Sequence, residues 1–264
     1  MIKTTYLMSF LVVLLFAIPA NGSIHWLSTV LADIPEGYEG MAYREVRAQD
    51  WFPLAIGNYW IYEGTAKITG EKGVTELKIV ERVDVELQVN NGDYSLFICQ
   101  GHPMGVFWLD DYETGTKDNV LEVNGIKCAY LTCGNQVYGL FGNNLDEVEE
   151  ALAGENPADK INELNLDEEF DFPLIVGKSY AEESKVERAD HWYEWYVKEM
   201  TPSAKWQVGG KPGEEYHLMF YTNPDRTDVW FVPGVGITRY AYHHNGTVMD
   251  VDVTLKEFNI CYNK

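Results

Sequence analysis

The chain reads as a mainly β protein: a large curved antiparallel sheet or half-barrel, built from two related halves, with a short helical connector packed against it. A short phrase occurs twice, as Phe52-Pro53-Leu54 with Gly57 and Trp60, and as Phe172-Pro173-Leu174 with Gly177 and Tyr180. Apolar and polar residues alternate over long stretches punctuated by Asn-Gly and Gly-Asn turns, the signature of strands with one buried face. One acidic stretch breaks this pattern with helical spacing instead.

Each copy of the phrase marks the start of a sheet segment. Proline fixes φ and removes a backbone donor, and the following glycine permits a tight turn ahead of an aromatic strand residue. The copies lie 120 positions apart, longer than an ordinary solenoid unit, which favours a duplicated half-domain.

Residues 1–22 read as a signal peptide. Lys3 supplies the positive start, Tyr6 to Ile18 is mostly apolar, and Ala20-Asn21-Gly22 offers a cleavage site. The apolar run is short for a membrane span, so the mature chain is expected to be secreted or periplasmic, without a span. Residues 23–50 form an extended lead-in, 51–142 the first β half, 143–171 an acidic helical connector and 172–264 the second β half.

In the first half Leu77, Ile79, Val83, Val85, Leu87 and Val89 alternate with polar residues. Val80 and Glu81 break the alternation, which predicts a bend or bulge there. Asn90-Asn91-Gly92-Asp93 turns the chain into Tyr94 to Cys99. Further strands are expected at Gly105 to Leu109, Val120 to Val123, Ile126 to Cys133 and Gln136 to Phe141, giving an antiparallel meander.

In the connector, Leu145, Val148 and Leu152 share one helical face and Asn156-Pro157 starts a second short helix. Eleven acids and one lysine lie between Asp146 and Asp171. No EF-hand order of oxygen ligands is present, so the stretch reads as a solvated connector and not as a calcium loop.

The second half returns to strands at Lys178 to Val186, His191 to Lys198, Glu215 to Thr222, Asp228 to Val232, Ile237 to His243 and Thr247 to Phe258. Residues 191–197 and 218–221 are apolar or aromatic on both faces, so something must cover the second face. Trp192, Trp195, Tyr196, Trp230 and Tyr240 then either line a ligand groove or form the core.

The formal net charge of −21 argues against nucleic acid and anionic membrane partners. Of the four cysteines, Cys128 and Cys133 bracket four residues and are expected to pair across a local turn, an exported location permitting disulfides. No CxxC accompanies them, which disfavours zinc. The sequence carries no Gly-x-Ser-x-Gly elbow, no His-Glu-x-x-His and no glycine-rich phosphate loop. It therefore offers no catalytic residue, metal ligand set or cofactor site.

The segments Phe52 to Tyr62, Phe172 to Tyr180 and Trp230 to Tyr240, the last containing Pro233-Gly234-Val235-Gly236, resemble phrases in a group of exported bacterial proteins of uncharacterised function. The resemblance covers roughly residues 50–258 in outline, departing between Val197 and Tyr216. The architecture is also similar to the curved sheets of periplasmic lipoprotein carriers, with helices against the concave face; this likeness assigns no functional residues. The expected role is non-enzymatic binding of an apolar or amphipathic small molecule, or of a protein partner, through a partly helix-covered aromatic face. The alternatives are a carboxylate-dependent hydrolase acting on polysaccharide and a structural subunit of a cell-surface assembly.

Overall fold

The computed structural model describes residues 46–70, 73–103, 116–117, 120–123, 127–181, 189–244 and 249–261. The leader, most of the lead-in and the expected strand Gly105 to Leu109 lie outside them. Among the described residues a short helix α1 (Ala48–Trp51) precedes β1 (Tyr59–Gly70), β2 (Gly73–Asn91) and β3 (Tyr94–Gln100). Then come β4 (Thr116–Lys117), β5 (Val120–Val123), β6 (Lys127–Cys133) and β7 (Gln136–Phe141). Helices α2 (Asn143–Leu152) and α3 (Pro157–Glu163) lead to β8 (Asp167–Asp171) and β9 (Ser179–Tyr180). The chain finishes with β10 (Trp195–Val208), β11 (Lys211–Tyr221), β12 (Asp225–Val232), β13 (Gly236–His244) and β14 (Met249–Asn259).

Twelve strands form one continuous antiparallel path in the order β8-β7-β6-β3-β2-β1-β14-β13-β12-β11-β10-β9. The order is a tandem repeat: β1, β2, β3, β6, β7 and β8 of the first half correspond to β9 through β14 of the second. In this scheme the ladder of β1 on β14 is the first seam, and its counterpart is β9 beside β8. That second seam is bridged by a side chain, the Tyr180 hydroxyl donating to the Glu169 carbonyl at 2.9 Å. The sheet is therefore a nearly closed barrel.

The glycine contacts of the duplicated phrases match, although the Phe172–Pro173 peptide is cis and the Phe52–Pro53 peptide is not. Gly57 N–H donates to the Val85 carbonyl and Gly177 N–H to that of Val197, with Asn58 and Lys178 accepting in return from Val85 and Val197. Both glycines have positive φ, 88° and 91°, a region a Cβ disfavours. A register shift follows each contact, between Val85 and Leu87 and between Val197 and Glu199. Even the proline carbonyls are satisfied equivalently: Asn58 Nδ2 donates to Pro53 at 2.6 Å and Lys178 Nζ to Pro173 at 3.2 Å.

The phrases also plug the barrel. Phe52 and Phe172 point inward onto Phe170 and Phe231, with ring centroids 5.0 to 5.8 Å apart. Trp60 donates its indole N–H to the Val235 carbonyl and Gly234 N–H donates to the Trp51 carbonyl. Thus the Pro-Gly-Val-Gly turn docks on the first phrase. Burying each of these large side chains contributes on the order of 2–3 kcal/mol.

Several expectations are corrected. No register shift separates Val80 and Glu81 in the ladder of β1 on β2; Glu81 continues the inward series of Ile79, Val83 and Val85 and is itself buried. The alternation is broken by chemistry and not by geometry. The first half is not a pure meander, because β5 pairs parallel with β2. The acidic stretch does not stay helical to its end, since 167–171 form β8, on which Phe170 is buried in the interior. Finally, β10 begins at Trp195 and not at His191.

The helices also lie elsewhere than expected. Leu145, Val148, Ala151 and Leu152 of α2 and Ile161 of α3 pack on Leu96, Ile98, Ala129, Leu131 and Leu140. These are the residues of β3, β6 and β7 that alternate with inward Phe97, Cys99, Cys128, Tyr130 and Val137. The helices therefore cover the outer face of the first half. They do not cover the aromatic strands of the second.

Candidate functional site

On β11 and β12 the period of two divides the side chains cleanly. Leu218, Val229 and Phe231 face the interior, while His217, Met219, Tyr221, Asp228 and Trp230 face outward. The outward register runs Glu199, His217, Trp230, Arg239 and then across β14 to Asp252. Neighbouring strands thus place His217 on one flank of Trp230 and Arg239 on the other. The imidazole stacks on the indole at 4.4 Å and 6°, and the guanidinium lies 4.3 Å from the ring centroid.

Charges hold this ladder upright. Arg239 grips Asp252 in a two-pronged pair at 2.9 and 2.7 Å. His217 Nε2 lies 2.6 Å from Asp228 Oδ1, and Tyr221 donates its hydroxyl to the same carboxylate. Burial, followed by the Asp228 charge, pushes the Tyr221 pKa up to about 12, so the phenol remains a donor at neutral pH.

A strained turn rims this face. His191 and Tyr193 have φ of 56° and 66°, costly for residues with a Cβ. His191 stacks on Tyr196 at 3.9 Å, Trp192 meets Tyr221 edge-on at 6.4 Å, and Tyr193 N–H donates to the Tyr221 carbonyl. Ser179, His191 and Glu194 approach one another here, but serine and glutamate both contact the Nδ1 atom of His191. A nucleophile relay needs both ring nitrogens, so this trio is not one.

The five aromatics read as either a ligand groove or core are divided between two faces. Trp192, Tyr196 and Trp230 belong to the outer face or its rim. Trp195 packs against the interior cluster and Tyr240 is buried in it. The interior is filled by side chains, including a polar group that the sequence reading missed. Glu81 accepts from His102 N–H at 2.7 Å, His102 Nε2 lies 3.7 Å from Glu169 Oε1, and Tyr130, Phe141 and Tyr240 surround the imidazole. The broken alternation at Glu81 was its sequence signal. Burial and the Glu81 charge raise the Tyr62 pKa well above normal, and burial and Glu169 do the same for Tyr130, so both stay protonated.

The expected Cys128–Cys133 disulfide is corrected. Both residues lie on β6 five positions apart, which at about 3.3 Å per residue separates them by roughly 17 Å, far beyond disulfide reach. In this structure all four cysteines are thiols. Among the described residues no three His, Cys, Asp or Glu side chains converge to hold a metal ion. A shallow open depression of about 430 Å³ lies apart from the aromatics, lined by Glu63, Lys78, Val80 and Lys256 among others.

One carboxyl stands out chemically. Burial raises the Glu168 pKa to about 7, with Asp171 pushing the same way and Gln136 and Lys178 opposing. Its environment belongs to the closing edge: Gln136 donates to it at 2.8 Å, while Lys178 and Asn135 hold Asp171. Because the folded pKa is raised, the native state binds this proton more tightly, and stability is lost as pH rises from the unfolded value near 4.5 through about 7. Glu168→Gln is expected to raise stability by about 1 kcal/mol at pH 8, discounted for partial exposure, and to leave it unchanged near pH 4. Urea titrations at the two pH values measure this directly, and an equal effect at both would contradict it.

No family model matches the chain, and no curated protein matches it. Two solved structures are similar. One is a protein assigned as a lipoprotein from Parabacteroides distasonis, 11% identical, with a TM-score of 0.33, covering 79% of this chain and 97% of that one. The other is a protein assigned as exported, with a YmcC-like fold, from Bacteroides fragilis, 10% identical, with a TM-score of 0.34, covering 79% and 98%. No helix among the described residues is long and apolar enough to cross a membrane.

Proposed function

We propose that this chain is an exported, non-enzymatic binding protein whose partner is another protein, held on the outer face of β10 to β13 around Trp230. The observation that carries this reading is the asymmetry between the halves. The outer face of the first half is closed by α2 and α3, while the equivalent face of the second carries half-buried Tyr196, Met219, Tyr221 and Trp230 with no helix among the described residues over it.

The chemistry favours a protein over a flat small molecule. Both flanks of Trp230 are taken by His217 and Arg239, so its edge, not its stacking surface, is offered. Trp, Tyr, Arg and Met are the residues enriched where proteins bind one another, and fixed charge pairs around an aromatic centre supply register and specificity. The interior is packed with Phe52, Phe170, Phe172 and Phe231, which argues against a lipocalin-like ligand chamber. Export rests on the leader-like residues 1–22.

The test is affinity of the purified chain for proteins cross-linked to it in its own compartment. Trp230→Ala is expected to weaken the recovered complex by roughly 30-fold, since central aromatic truncations cost about 2 kcal/mol or more. A complex that survives this change at full strength would contradict the reading. Circular dichroism of the variant separates lost contact from lost fold.

A further inference from the structure

Cys99 and Cys128 occupy directly opposed positions in the antiparallel ladder of β3 on β6. Opposed residues in such a ladder have Cα atoms about 4.5 or 5.5 Å apart, both inside the range a disulfide spans. Each thiol is fully buried and points into the barrel, beside Val85, Tyr130 and the Glu81–His102–Glu169 group. Cys128 Sγ donates to the Gly101 carbonyl at 2.9 Å. The other two cysteines are placed differently: Cys133 opposes Tyr94 on the outward series of β6, and Cys261 is exposed beyond β14.

We infer that Cys99 and Cys128 are a redox pair that closes to a cross-strand disulfide as the β3–β6 ladder assembles. The oxidant is a disulfide, either of a dithiol oxidoreductase or of glutathione. One cysteine thiolate attacks it to give a mixed disulfide, and the second thiolate displaces the reduced thiol. Two electrons pass to the oxidant, which leaves as two thiols carrying the two protons, and one S–S bond forms where one was broken.

Timing follows from burial. In the packed barrel the Cys128 pKa is raised, first by its hydrogen bond with the Cys99 thiol and then by burial, which leaves the thiol a poor nucleophile. Oxidation therefore precedes final packing, and the finished bond is shielded from reductant. It covalently closes residues 100–127, the segment that carries His102 and β5. Its formation in the cell rests on the export reading above, because a reducing cytoplasm would keep both thiols.

The experiment has two arms on the full chain. Denatured, reduced protein is refolded in a glutathione redox buffer, alkylated in denaturant and mapped without reduction. Protein expressed with its own first 22 residues in a bacterium with a periplasm is treated identically, and its N-terminus is read by mass. The expected result is two alkylated cysteines, Cys133 and Cys261, with Cys99 and Cys128 linked. The bond should survive dithiothreitol in the folded protein and disappear when denaturant is added, and its loss should lower the thermal midpoint by roughly 10 °C.

Four alkylated cysteines after refolding, or a linkage involving Cys133 or Cys261, would overturn the inference. A Cys133→Ser/Cys261→Ser variant keeps only the inferred pair and gives the same readout without exchange among partners. A linked pair after refolding together with an uncleaved, reduced chain in the cell would uphold the pairing and contradict export alone.

Discussion

Gly64→Ala is expected to open the first seam of the barrel and abolish stable folding. Gly64 lies mid-strand in β1, between Ile79 of β2 and Val253 of β14. A Cβ placed there would sit 1.8 Å from the Asp252 carbonyl oxygen and 2.6 Å from the Val253 Cα. Those are backbone atoms with no rotamer to change, so only displacement of β14 relieves the clash. That displacement breaks the ladder joining the two halves, and with it the platform of Asp252 under Arg239. A loss of about 4 kcal/mol or more is expected, at the upper end of single-substitution effects. Urea unfolding followed by tryptophan fluorescence measures it; a midpoint within error of the parent would mean the seam tolerates the shift.

Phe231→Ala carries the second-largest expected effect. Its ring is fully buried and touches the rings of Phe52, Phe170 and Phe172, which come from the first phrase, from β8 and from the second phrase. It is the point where the two copies and the closing edge meet. Truncation removes the transfer contribution of the ring and leaves a cavity walled by three aromatics that are themselves anchored, so collapse into the space is restricted. The cost is expected at about 3–5 kcal/mol. Phe231→Leu, which fills most of the volume, should recover more than half of that loss in the same assay. Equal losses for alanine and leucine would contradict a packing origin.

These two substitutions show which parts of the molecule were legible in the chain. The duplicated phrases were readable because proline, a positive-φ glycine and an aromatic at fixed offsets report local backbone geometry, and local geometry is what short sequence encodes. The strands Gln136–Phe141 and Val120–Val123 were readable for the same reason, being flanked in the sequence by Gly134-Asn135 and Asn124-Gly125. Glu81 was visible as an irregularity but misread as a bend, because a buried carboxylate and a bulge interrupt alternation in the same way. Only the partner, His102 N–H, distinguishes them, and it is contributed from 21 residues away.

The candidate site was half legible. The doubly apolar run at 191–197 did indicate an unusual surface, but the turn at His191 and Tyr193 places Trp192 on the rim and sends Trp195 inward. Parity along β12 could have grouped Trp230 with Asp228 and set both against Val229 and Phe231. What no local pattern contains is the neighbour relation of His217, Trp230 and Arg239, which depends on the registers of three strands at once. The cysteines follow the same logic. Closeness in sequence suggested Cys128 with Cys133, whereas a strand drives near neighbours apart and pairing across the ladder brings Cys99 to Cys128.

The duplicated architecture and, among the described residues, the uneven covering of its two outer faces support the central proposal, that a protein partner sits on the face around Trp230. The most direct measurement is photo-cross-linking in the native compartment, with a photoreactive residue placed in turn at Met219, on the uncovered face, and at Glu147, on the solvent side of α2. The expected result is a discrete cross-linked species from Met219 that disappears in the Arg239→Ala background, with none from Glu147. Cross-links of equal yield from both positions, or from Glu147 alone, would contradict it.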